Sequence, residues 1–157
     1  MKVIVTIFLL LIFELSAFAT EAQEGFAVVK RDTIYGIVKI NFSAGSVVVK
    51  QENVNRMFID GIESVTFLNE TRETYYTYSI DSKLEFFRAI VTGENPLIEK
   101  DNILYCLLEN QPAQIQEKVL YSIFGKKKVR EYAFIRNISL TEKEDLKDLF
   151  SHFNDYY

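Results

Sequence analysis

The stretch Gly25-Phe26-Ala27-Val28-Val29-Lys30-Arg31-Asp32-Thr33-Ile34-Tyr35-Gly36-Ile37-Val38-Lys39-Ile40 decides the fold. Two apolar, β-branched runs flank a polar break at Lys30, Arg31 and Asp32. Such runs favour a pleated backbone, and a short polar break between two of them makes a β-hairpin. In the second run Ile34, Gly36, Val38 and Ile40 share one face, while Thr33, Tyr35, Ile37 and Lys39 share the other. Both faces are partly apolar, which predicts a strand inside a sheet. Gly36 adds no side chain there and marks a bulge or a close backbone approach.

The chain continues in this style. A strand over 46–50 centres on Val47, Val48 and Val49. Residues 51–56 read as a loop or a single helical turn. Asp60-Gly61 lies between apolar runs at 57–59 and 62–68, the pattern of a tight hairpin. Strands follow over 74–80 and 84–92, separated by Asp81-Ser82. Gly93-Glu94-Asn95-Pro96 turns the chain, and Asp101-Asn102 reverses it between 97–100 and 103–108. Residues 109–118 form a polar interval with Pro112, a loop or an edge excursion. Further strands are predicted over 119–124 and 129–135, with a turn at 125–128.

The last segment changes period. Leu146, Leu149, Phe150 and Phe153 make one apolar stripe at helical spacing. Ser139 or Thr141 serves as N-cap, each with a Glu three residues on (Glu142 or Glu144). The predicted helix covers 140–156. The expected fold is mainly β: an antiparallel meander of about eight strands, curled into a small barrel or a sandwich, with one C-terminal amphipathic helix.

The composition fits a globular chain. Of 157 residues, 25% are charged with signs mixed, and 13 Phe and 9 Tyr with no Trp lean toward β structure. This length supports a core without a disulfide or a metal. The net charge of −4 argues against a nucleic-acid partner, which needs a basic surface. Lys2, the apolar run 3–13 broken only by Thr6, and Ala17-Phe18-Ala19 together make a secretory leader. Cleavage is expected after Ala19, leaving one domain over 20–157. The run is short for a spanning helix, and Glu14 ends it. Membrane contact is therefore expected only through the leader. The mature chain would reside in the periplasm, in the outer envelope or outside the cell.

Gly25-Phe26 followed by Asp32-Thr33-Ile34-Tyr35-Gly36 resembles the opening of a group of uncharacterised exported proteins from Bacteroidota-type bacteria. Residues 84–91 and Gly93, read Leu84-Glu85-Phe86-Phe87-Arg88 up to Val91, are similar to a later segment of that group. Arg31 departs from the pattern, standing where the group usually has Gly. The resemblance implies location and architecture and carries no activity.

Catalytic signatures are sparse. No Gly-x-Ser-x-Gly elbow, phosphate-binding glycine loop or Cys-x-x-Cys pair occurs. Cys106 sits in Ile103-Leu104-Tyr105-Cys106-Leu107-Leu108 and reads as a buried core residue. His152, the single histidine, lies beside the helical stripe and reads as a boundary residue. One Cys and one His are too few for a zinc site. Neither a catalytic residue nor a cofactor or metal ligand is assigned. Three acidic pairs, Asp60 with Glu63, Glu70 with Glu73 and Glu99 with Asp101, keep a carboxylate hydrolase open. Lys126, Lys127 and Lys128, followed by Arg130, form the one basic cluster: a solvated turn or a contact for an anionic lipid or glycan. Tyr75, Tyr76 and Tyr78 are ordinary strand cover or a ligand face. Asn41, Asn69 and Asn137 open N-glycosylation sequons, which matter only in a eukaryotic secretory context.

Three functions remain. The first is a non-enzymatic exported β-domain acting through protein or surface interactions, with an envelope protein as partner. The second is a β-barrel module enclosing a small apolar ligand. The third is the carboxylate hydrolase.

Overall fold

The structure is a computed structural model and describes residues 20–156. The expected leader, residues 1–19, lies outside the described residues. The chain divides into two compact units, Met1–Phe86 and Phe87–Tyr157.

Among the described residues there are ten strands: β1 (Gln23–Val29), β2 (Asp32–Asn41), β3 (Ser46–Gln51), β4 (Val54–Phe58), β5 (Ile62–Phe67), β6 (Thr74–Ile80), β7 (Lys83–Val91), β8 (Leu97–Lys100), β9 (Ile103–Leu108) and β10 (Gln111–Gln114). They pair in the order β10-β9-β8-β7-β6-β5-β1-β2-β3-β4 as one antiparallel sheet. Its two ends are different strands, so the sheet does not close into a barrel. Helices α1 (Glu117–Leu120), α2 (Lys126–Arg136) and α3 (Lys143–Tyr156) follow, with a π-helical turn at Tyr121–Gly125 between the first two.

In the first unit the decisive hairpin forms as read. Gly25 pairs with Gly36 and Val29 with Asp32. The two turn residues, Lys30 (φ 50°) and Arg31 (φ 72°), are both left-handed. That turn matches strand twist but favours Asn-Gly. Tertiary hydrogen bonds hold the less suited pair. The Lys30 amide donates to Gly61 O at 2.8 Å, and the Arg31 amide to Glu63 Oε1 at 2.9 Å. β2 lies between β1 and β3, and Val38 and Ile40 are buried on the expected face.

Asp60-Gly61 does not make a hairpin. β4 pairs with β3, and β5 pairs with β1, where Val29 meets Ile62. Both β4 and β5 run opposite to β1, so on a flat sheet they would run the same way. Such strands need a crossover of about a dozen residues, yet only Ile59, Asp60 and Gly61 join them. Four peptide steps reach about 15 Å, whereas four strand spacings take about 19 Å. The first unit's sheet must therefore bend back on itself. The close approach expected at Gly36 is part of this bend. A Cβ there would lie 2.4 Å from Lys50 O, and one at Gly25 would lie 2.2 Å from Thr66 O. Paired glycines let neighbouring strands coil that tightly. The bend encloses a core of Ala27, Val38, Ile40, Val47, Val49, Val65 and Phe67 with their neighbours.

In the second unit, α3 buries the expected stripe of Leu146, Leu149, Phe150 and Phe153. Its first turn differs from the expected cap. The helix begins at Lys143, and Asp145 Oδ2 reaches back to the Ser139 amide at 2.7 Å. Acids in that turn suit the helix dipole.

The runs 119–124 and 129–135 are helical rather than extended. Their buried residues, Leu120, Phe124, Val129 and Tyr132, pack with α3 in one core. The spacing of these four is irregular because the π turn adds a residue. Gly125 (φ 89°, ψ 130°) interrupts the helix just before α2. The polar interval 109–118 contains β10 and the start of α1, and the segment 51–56 supplies the start of β4.

Candidate functional site

The first unit exposes an unpaired strand edge. β4 is the last strand in the pairing order and meets only β3. An open edge carries free amide and carbonyl groups that can bind another strand. The opposite terminal strand, β10, is four residues long and holds Pro112, both of which discourage pairing. β4, five residues long, has no Pro. Val54, Asn55, Arg56 and Met57 are all exposed, Met57 at 67%.

Beside β4 lies an open groove of about 730 Å³, to which β1, β2, β3 and β4 all contribute. Gly25 and Gly36 contribute to its lining. Tyr35, Ile37, Val54 and Leu68 supply apolar wall, and Glu24, Glu52, Lys50 and Arg56 supply charge of both signs. Gln51 Nε2 donates to Tyr35 O at 2.9 Å, and the Tyr35 ring lies 5.3 Å from that of Phe26. Such a groove suits an extended peptide with mixed side chains.

The sequence singled out none of these residues as a binding site. From sequence, 51–56 reads as a loop or a single helical turn and 57–59 as one arm of a hairpin, because the polar run from Gln51 to Arg56 masks the start of a strand that pairs with β3. An exposed apolar pair at Val54 and Met57 was the available signal.

The three tyrosines of β6 do not form one face. Tyr75 joins the first unit's core, with its ring 5.8 Å from Phe42 and 6.0 Å from Phe67. Tyr76 and Tyr78 point the other way, and burial raises both phenol pKa values.

Lys126, Lys127 and Lys128 are exposed at the start of α2 rather than in a hairpin turn. Lys127 Nζ lies 3.8 Å from Glu131 Oε1, and Lys126 Nζ stands 6.0 Å over the Tyr121 ring.

The acidic pairs occupy different settings. Asp60 is exposed, 3.6 Å from Lys30, and Glu63 holds the first turn. Glu70 is exposed, and so is Asp101 in the β8–β9 turn. Glu99 is buried on β8, where Arg88 of β7 and Lys143 of α3 both hydrogen-bond to it, Lys143 at 2.5 Å. Burial works against its ionisation. The hydrogen bonds and charges of Lys143 and Arg88 outweigh that and hold its pKa below the usual carboxylate range. Charged at neutral pH, Glu99 is a structural tie between two strands and a helix; proton transfer needs a group poised near the working pH. Among the described residues no cluster of His, Cys, Asp or Glu could hold a metal ion.

Cys106 is fully buried in the second unit's core, and burial pushes its thiol up to about 12. The thiolate is the reactive form. At pH 8 the folded protein should react with a disulfide reagent about a thousandfold more slowly than a free cysteine. Rapid stoichiometric labelling of the native protein would contradict this. His152 stacks on Tyr132 with ring centroids 4.3 Å apart, the boundary position its sequence context implies.

No helix among the described residues is long and apolar enough to cross a membrane. No family model, curated protein or solved structure matches this chain.

Proposed function

We propose that the chain is a non-enzymatic exported β-domain that binds a partner protein by adding one of the partner's extended segments to β4. The observation that carries this reading is the open β4 edge beside a mixed polar and apolar groove. In strand addition the backbone supplies affinity, while flanking pockets read alternate side chains. The proposed architecture is sandwich-like, with the bent sheet of the first unit as the binding platform. An open groove suits a peptide better than an enclosed small ligand. Export rests on the leader-like pattern at Lys2, 3–13 and Ala17-Phe18-Ala19, and on the resemblance to exported Bacteroidota-type proteins.

The test places a photo-crosslinking amino acid at Met57 in the protein's own host, with the exposed turn residue Glu70 as control. The expected result is a discrete crosslinked polypeptide from position 57 and none from position 70. Met57→Lys, which blunts an edge, should abolish partner binding while changing stability by less than about 0.5 kcal/mol. Equal crosslinking from both positions, or none from 57, would remove the reading.

A further inference from the structure

The second unit carries a surface that the strand-edge reading leaves unused. On α2, Phe134 is 87% exposed and Ile135 76%, more than any other large apolar side chain described. The same helix holds Lys126, Lys127, Lys128, Arg130 and Arg136 against one acid, Glu131. It is strongly cationic within a chain of net charge −4. Val129 and Tyr132 face the core. At 3.6 residues per turn, Lys127, Arg130, Glu131 and Phe134 then lie together on the opposite side. The outward stripe thus carries two cations and one acid and ends in an apolar tip.

The helix dipole does not explain the charges. The first turn of a helix favours acids. The other two helices obey: α1 begins with Glu117, and α3 has Glu144 and Asp145. α2 alone puts three lysines there, with no side-chain cap. Tyr121 takes up part of the charge, since Arg130 Nε donates to its hydroxyl at 3.0 Å, and Glu117 lies 4.0 Å from Arg130. Exposed aromatic and aliphatic side chains beside clustered cations are what an anionic bilayer surface binds: headgroups meet the cations and the acyl boundary takes the apolar tip.

We propose that α2 docks on an anionic lipid surface, with Phe134 and Ile135 entering the interface and Lys126, Lys127, Lys128 and Arg130 holding the headgroups. A smooth bilayer demands no shaped pocket, which suits a lone convex helix. This surface and the β4 edge lie in different units, so either assignment can fail alone.

The chain has no tryptophan, so Phe134→Trp is a local reporter of this contact whatever the N-terminus does. The probes are vesicles of phosphatidylglycerol with phosphatidylcholine, and of phosphatidylcholine alone. On the anionic vesicles at low salt, Trp emission should shift to the blue and be quenched by brominated acyl chains. The response should vanish on neutral vesicles and fall at least about tenfold at 0.5 M salt, where screening is nearly complete. Lys126→Glu with Lys127→Glu and Lys128→Glu should weaken binding about a hundredfold or more, while the melting temperature holds or rises because the helix dipole now favours the charges. A melting temperature that does not fall separates lost docking from lost folding. An unchanged spectrum with anionic vesicles would overturn the proposal. So would an equal response on neutral lipid, or a shift produced by polyglutamate or by the protein's own concentration without vesicles.

Discussion

Gly25→Ala should destabilise the protein by about 3 kcal/mol. At this chain length that lowers the melting temperature by roughly 6–12 °C. In most strands the same change is favourable by about 0.5–1 kcal/mol, because alanine loses less backbone freedom on folding. Here the sign reverses for a steric reason. The new methyl would sit 2.2 Å from Thr66 O and 3.2 Å from Phe67 Cα. Both are backbone atoms of β5, held in a ladder with β1, and they cannot swing aside as a long side chain would. Gly36→Ala meets Lys50 O of β3 at 2.4 Å and should act the same way. Denaturant titration of the two variants checks this. A loss below about 0.5 kcal/mol for Gly25→Ala would mean that the strands around Gly25 are not so tightly coiled.

Glu99→Gln should cost about 2 kcal/mol at neutral pH. Breaking a buried ion pair costs about 3–5 kcal/mol when the surviving charge is stranded. Arg88 and Lys143 keep roughly 40% of their side-chain surface in water, which reduces the penalty. The pH dependence identifies the cause. The folded pKa of Glu99 lies below its unfolded value. Its contribution is therefore complete above about pH 4.5, the ordinary carboxylate range, and is lost as the pH falls through the folded value. The gap between wild type and variant should be widest near neutrality and close in acid. A gap that stays constant down to pH 2 would show that Glu99 acts through packing alone.

These two sites mark how far the sequence could be read. The first hairpin, the reversals at Asp81-Ser82 and Asp101-Asn102, and the stripe of α3 depend on neighbours within a few residues. Turn chemistry and side-chain period specify them before any tertiary contact exists. Cys106 was legible as core for the same reason, because it sits inside an apolar run. Gly36 announced a close approach, though not the strand it would meet.

The misreadings share the opposite character. The segment 119–135 is rich in β-branched and aromatic residues, and the π turn breaks its helical period, so local propensity pointed to strands. Packing against α3 decided for helix. Asp60-Gly61 had the chemistry of a tight hairpin, but β5 found β1 instead of β4. The Glu99 tie joins residues 88, 99 and 143, and the groove beside β4 draws on four strands. No local signal encodes such meetings. The sequence by itself determined the period of each element and the chemistry of its turns. Only the tertiary structure decided strand partners, the open β4 edge and the outward face of α2, because each depends on which distant surfaces are buried together and which are left in water.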